Sequence, residues 1–400
     1  MARRRPERRP NRPSPAARAG EIPKPAPARR VRWLIGAVGV AVAALGVVFI
    51  ASRTDLGWLR RRAEAASAKK DWNGALALWR GVNASPAATA ATWLEEGRAC
   101  LALGRAAQGE AALRRATEID PGAVRAWVLR LEILRVEDRW IDAAALGWRA
   151  FEAVAPEDRA AVLRELTLAA LADLPDDLAR DTLKKWIAAD PDDFEAEAAL
   201  LRRIGSDPRS DDPDQPARQA RLEALTAKHP DRPGPREALA TLLADGGDVG
   251  RGRGVLDAWP PAARDARYDR LRGRWDLEYE GRPEEAAAAF RRALDAAPHD
   301  WRTHYRLARA LTILGRRDEA AAAARATARI REALDPMTLG PALEDALEKV
   351  ERPSPRATIA EACARVGLER LARAWRDLPA AAAPGPAQPA AGWGTSRPTP

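Results

Sequence analysis

The sequence predicts an all-α protein: stacked helical hairpins, led by one apolar helix of membrane-crossing length. Three observations carry that prediction. Pro86, Pro121, Pro156 and Pro191 recur at a 35-residue step, and such a period marks a helical solenoid. The intervals are filled by Ala, Leu, Arg and Glu, all good helix formers, while the chain holds only 3 Tyr and 4 Phe. The run Trp33–Ser52 carries no charged residue.

The formal charge of +9 belongs to the first 32 residues, where ten Arg and Lys24 face only Glu7 and Glu21. The other 368 residues hold 55 basic and 55 acidic side chains. A neutral body lacks the basic face that a nucleic-acid-binding array needs, so no nucleic-acid partner is expected. The segment 1–32 is rich in Pro and Arg and poor in apolar mass, which predicts a disordered tail. Its arginines suit contact with anionic lipid headgroups, each contributing up to about 1 kcal/mol near the surface.

Residues 33–52 number twenty, and at about 1.5 Å per helical residue they reach about 30 Å, the thickness of a bilayer's apolar core. Trp33 and Trp58 stand near its two ends, where aromatic rings favour the interface. A cleavable signal calls for a shorter apolar stretch of about 7–15 residues followed by a small-x-small site. The best match, Ala44-Leu45-Gly46, lies inside the run, so the segment reads as a retained signal anchor. The basic N-terminal flank places the N-terminus in the cytoplasm and the repeat array on the extracytoplasmic side of a single-pass topology.

Beyond the anchor, apolar helices are repeatedly stopped by proline, which lacks the amide hydrogen that the next turn requires. In the clearest intervals a large residue is followed four positions on by a small one, and further small residues recur in the second helix. The clearest unit carries Trp93, Gly97, Cys100, Gly104, Gly109, Leu113, Ala116 and Pro121. The next carries Trp127, Ala143, Gly147 and Ala150, and a third Leu163, Thr167, Ala170, Ala179, Leu183 and Trp186. Later units carry Ala286, Phe290, Ala293 and Pro298, then His304, Ala308, Gly315 and Ala320. Small residues let helices approach closely and large ones fill the grooves, so stacking supplies a core that no single unit could build.

This pattern resembles the tetratricopeptide repeat (TPR) family. The resemblance covers residues 57–336 and is irregular at 205–216 and 246–254, the latter reading as a loose glycine-rich turn. Capping helices are expected over 337–378, and a disordered Pro/Ala/Gly tail over 379–400. Residues 57–378 are expected to fold without the anchor as a helical rod.

No constellation for catalysis, metal or cofactor is legible. His229, His299 and His304 have no ligand spacing; Cys100 and Cys363 read as small buried residues. The glycines at 246–254 lack the Lys-Ser/Thr of a phosphate loop, and the acidic stretch 205–216 lacks the central Gly and terminal Glu of a calcium loop. No enzymatic activity is predicted.

The resemblance implies binding of other proteins or peptides on the concave face, which first helices line. There it places Leu271, Trp275 and Glu278, then Arg302, Tyr305, Arg306 and Arg309. Trp275, Arg302, Tyr305, Arg306 and Arg309 form the candidate partner-binding set. Paired arginines beside aromatic rings suit an acidic or C-terminal peptide segment, because guanidinium matches carboxylate bidentately. The expected function is a membrane-tethered interaction scaffold; an accessory factor for envelope protein secretion, folding or cofactor attachment is the alternative.

Overall fold

The computed structural model describes residues 56–172, 174–205 and 215–379. The apolar segment 33–52, the tails 1–32 and 380–400, and residues 206–214 of the expected insertion lie outside them. Among the described residues no helix is long and apolar enough to cross a membrane, and there is no strand. The chain divides into two units, Met1–Gly57 and Trp58–Pro400, and nearly all of the described residues belong to the second.

The helices of this unit alternate in pairs. Residues 56–68 form α1, followed by α2 (Trp72–Asn83), α3 (Ala90–Ala102), α4 (Ala106–Ile119), α5 (Val124–Val136), α6 (Trp140–Ala153), α7 (Arg159–Leu171) and α8 (Asp176–Ala189). Then come α9 (Phe194–Gly205), α10 (Gln215–Lys228), α11 (Pro233–Asp245), α12 (Val249–Asp257), α13 (Ala266–Glu278) and α14 (Pro283–Ala296). The series ends with α15 (Trp301–Ile313), α16 (Arg317–Ala333), α17 (Pro336–Glu348), α18 (Pro353–Arg365) and α19 (Glu369–Arg376).

The close approaches fall where the small residues stand. A Cβ on Gly97 would lie 2.6 Å from Leu113 Cγ, and one on Gly273 would lie 2.7 Å from Phe290 Cε1. Ala116, Ala143, Ala150, Ala286 and Phe290 are fully buried, with Trp127, Ala293, Ala308 and Ala320 nearly so. Gly104 turns α3 into α4 at φ +77°, a left-handed conformation that costs glycine least. Pro121 and Pro191 sit in the turns that open the next pair, and the Trp127 indole donates to the Pro121 carbonyl at 2.9 Å.

The glycine-rich stretch is not a loose turn throughout. Only residues 246–248 turn; α12 begins at Val249, with the Asp248 side chain accepting from the Arg251 amide. Gly252 is buried there because the Trp275 ring lies against it, with Cη2 2.9 Å from where a Cβ would stand.

The hairpin expected of α7 and α8 departs further from the pattern. α8 does not pack along α7. Its Leu183 and Trp186 are buried with Leu113 of α4, Leu129 and Ile133 of α5, and Ala196 and Ala199 of α9. That explains a bulky Trp186 where a small residue is the rule: the side chain fills a space between hairpins. Two bonds pin the turn after α8 to α4, Gln108 Nε2 to Asp190 Oδ2 at 2.8 Å and the Ala107 amide to Asp193 Oδ2 at 3.2 Å.

The face of α7 left uncovered by α8 is covered by α18 and α19, whose Cys363, Leu371, Ala372 and Trp375 share a buried cluster with Leu163, Leu166 and Ala170. Contacts within this unit therefore reach beyond neighbouring hairpins.

A partly buried ionic cluster ties α6, α9, α11 and α13 together. Arg267 of α13 grips Asp142 of α6 with two bonds, at 2.7 and 3.1 Å across 125 residues. Arg202 of α9 reaches the Glu137 carbonyl at 2.7 Å and the Glu237 carboxylate at 3.3 Å, and Arg270 also bonds Glu237. Burial opposes ionisation of Asp142 and Glu237, yet the neighbouring arginines hold both carboxyls below their ordinary range. Removing one partner from such a cluster leaves a charge without compensation, so it constrains how the turns pack.

Candidate functional site

The helix α15, which opens the hairpin completed by α16, is started by Asp300, whose carboxylate accepts from the amides of Arg302 and Thr303. Its inner stripe, Thr303, Leu307, Ala310 and Leu311, is buried. The helical period therefore turns Arg302, Tyr305, Arg309 and Ile313 outward. Tyr305 is 53% exposed and Ile313 64%, unusual for side chains of that size.

One carboxylate organises the cations beside them. Arg274 Nε bonds Glu278 Oε2 at 2.9 Å, Arg306 Nε bonds Oε1 at 3.1 Å, and Arg309 Nη1 stands 3.9 Å away. Arg274 is shared with Asp245 at 2.9 Å. Burial pushes the Glu278 carboxyl up, but the bonds from Arg274 and Arg306 outweigh it and hold the group below its usual range. Three guanidiniums around one carboxylate leave positive charge on the face. The Arg302 and Arg331 guanidiniums stack on the Trp301 ring, at 4.6 and 5.0 Å from its centroid.

Trp275 does not belong to this surface. It is 0% exposed, packs against Gly252, and donates its indole hydrogen to the Val249 carbonyl at 3.3 Å. Leu271 is buried in the same cluster. The repeat register expects both on a binding face; instead they fill the joint with α12, because the small Gly252 leaves room there. The structure brings Arg302, Tyr305, Arg306 and Arg309 onto one helix face and removes Trp275 from it. It also adds Ile313, which the sequence reading misses, although the spacing of four from Arg309 and eight from Tyr305 is present in the sequence.

The face presents planar cations and apolar area, and guanidinium matches carboxylate in a bidentate way.

Tetratricopeptide-repeat family profiles match residues 90–122, which span α3 and α4, and residues 277–332, which span α14, α15 and nearly all of α16. These two stretches are similar to tetratricopeptide repeats, and together they make up less than half of the chain. No curated protein matches the chain. Among solved structures, a tetratricopeptide repeat protein from Parabacteroides merdae is 14% identical, covering 64% of this chain and 98% of that one, with a TM-score of 0.31. The APC/C hetero-tetramer Cut9–Hcn1 is 16% identical, covering 71% of this chain and 55% of that one, with a TM-score of 0.39. Neither likeness bears on partner or activity.

Proposed function

We propose that this chain is a membrane-tethered scaffold that recruits partner proteins through an acidic segment bound on the α15 face. The observation that carries the reading is the outward stripe of Arg302, Tyr305, Arg309 and Ile313 beside an arginine-rich ring around Glu278. Repeat arrays bind through several side chains spread over adjacent units, each contributing a little. Here exposed tyrosine and isoleucine supply apolar area, and the arginines supply charge complementary to carboxylates. The anchor assigned to residues 33–52 would hold the array at the extracytoplasmic side of a membrane, with the N-terminus in the cytoplasm.

The test is recruitment. Arg302→Glu combined with Arg306→Glu should abolish capture of the partner from solubilised membranes while leaving helicity nearly unchanged, with a lower melting temperature because Glu278 loses its bond from Arg306. Capture that survives the double change places the partner elsewhere.

A further inference from the structure

One side of α1 is fixed against the array. Leu59, Ala63 and Ala66 join the cluster of Ala75, Leu76 and Trp79 on α2, and the Trp79 indole donates to Ser67 Oγ at 3.0 Å. The other side is therefore held outward. On it Trp58, Arg62 and Ala65 recur at steps of four and three, with Arg61 beside Arg62, and Lys69 continues the stripe in the turn after the helix. All five are exposed, as is Lys70, and Trp58 is exposed by 50%.

These cations differ from those elsewhere in the array. Arg272 and Arg274 each bond two carboxylates. Among the described residues Arg61, Lys69 and Lys70 face no carboxylate, and Arg62 holds only the Trp58 ring, 4.6 Å from its centroid. Arg60 is the paired member, with Glu64 at 2.9 Å.

We propose that the outward stripe of α1 (Trp58, Arg61, Arg62 and Lys69) lies on an anionic lipid surface, a contact that rests on reading residues 33–52 as a membrane anchor. Two arguments select that partner. Trp58 stands six residues beyond Ser52, so at no more than about 3.6 Å per residue it lies within about 22 Å of the end of the uncharged run. The stripe also has the chemistry of a helix in the headgroup layer. An indole favours the interface between water and hydrocarbon, and unpaired cations complement lipid phosphates. The contact would fix one end of the array against the membrane, with α2 between the lipid and the rest.

The test uses the full chain reconstituted into vesicles, with a fluorophore on Ala65→Cys and a nitroxide on the lipid headgroups. Cys100 and Cys363 are 0% exposed, so the label goes to position 65. Quenching should be about two-fold stronger or more in mixed phosphatidylglycerol and phosphatidylcholine than in phosphatidylcholine alone. High salt should remove the difference, because it screens exposed charges. Arg61→Glu combined with Lys69→Glu should remove it too, and neither residue has a partner to lose. Equal quenching in both lipids, from a chain that floats with both kinds of vesicle, overturns the contact and leaves the anchor standing. A chain that floats with neither overturns both. A difference that survives the charge reversal with helicity intact also overturns the contact. If the reversal lowers helicity by circular dichroism, the salt dependence of the labelled chain decides alone.

Discussion

Trp375 Nε1 and Thr167 Oγ1 meet at 2.8 Å although 208 residues separate them. Their bond closes α19 onto α7. Closing so long a loop is entropically costly, and the cost grows only slowly with length, so one well-packed interface can sustain it. Trp375→Phe removes the donor and part of a fully buried ring system, while Thr167 retains its bond to Leu163. Hydrogen-bond and cavity losses add, so it should lower stability by about 2–3 kcal/mol. Hydrogen exchange should speed up in α7 and α19 together and leave α3 and α4 unchanged.

Gly252 and Gly254 lie two residues apart in α12 and should respond in opposite directions to alanine. At Gly252 an added Cβ would meet the Trp275 ring, whereas nothing lies within 4 Å at Gly254. Gly254→Ala should stabilise by about 0.5–1 kcal/mol, the helix-interior cost of glycine. Gly252→Ala should destabilise by about 1–3 kcal/mol through overpacking. Thermal melts of the two variants beside wild type check both signs.

Glu132 of α5 is pushed up to about 7, first by burial and then by repulsion from Glu165 of α7, which burial also raises. The folded chain therefore holds a proton that the unfolded chain, near 4.5, has released. Stability from this group is full below the unfolded value and is lost as pH rises through about 7. Glu132→Gln should accordingly raise the melting temperature more at pH 8 than at pH 5. An equal gain at both values would show that Glu132 does not titrate in this range.

The topology prediction rests on the charges flanking residues 33–52. A reporter enzyme that works only outside the cytoplasm, fused after Pro400, should be active. Activity confined to a cytoplasmic reporter at the same position would reverse the orientation.

Much of the architecture is legible in the sequence because periodicity acts locally. Pro121 and Pro191 stop helices through a missing amide hydrogen, and Gly97, Ala143 and Ala286 set close approaches through their size. The place of Gly252 is marked too, 34 residues before Ala286 as Ala286 lies 34 before Ala320. On α15, the outward placement of Arg302, Tyr305 and Arg309 follows from the helical period once the buried stripe is known. Trp275 cannot be placed this way. Whether a large residue faces solvent or a neighbouring helix depends on the volume across the joint, and the residue opposite belongs to another unit.

Helix positions, turn residues and the neutral charge of the array thus come from the order of amino acids alone, since each depends on neighbours a few residues away. Which helix covers which is decided in three dimensions. The register assigns α8 to α7, but α8 gains more by burying Leu183 and Trp186 between α4, α5 and α9. The vacated face of α7 is then covered by α19, where Trp375 finds both an apolar groove and a hydroxyl partner. Such competition between faces of similar chemistry turns on shape and burial across the assembled core, which no local pattern records.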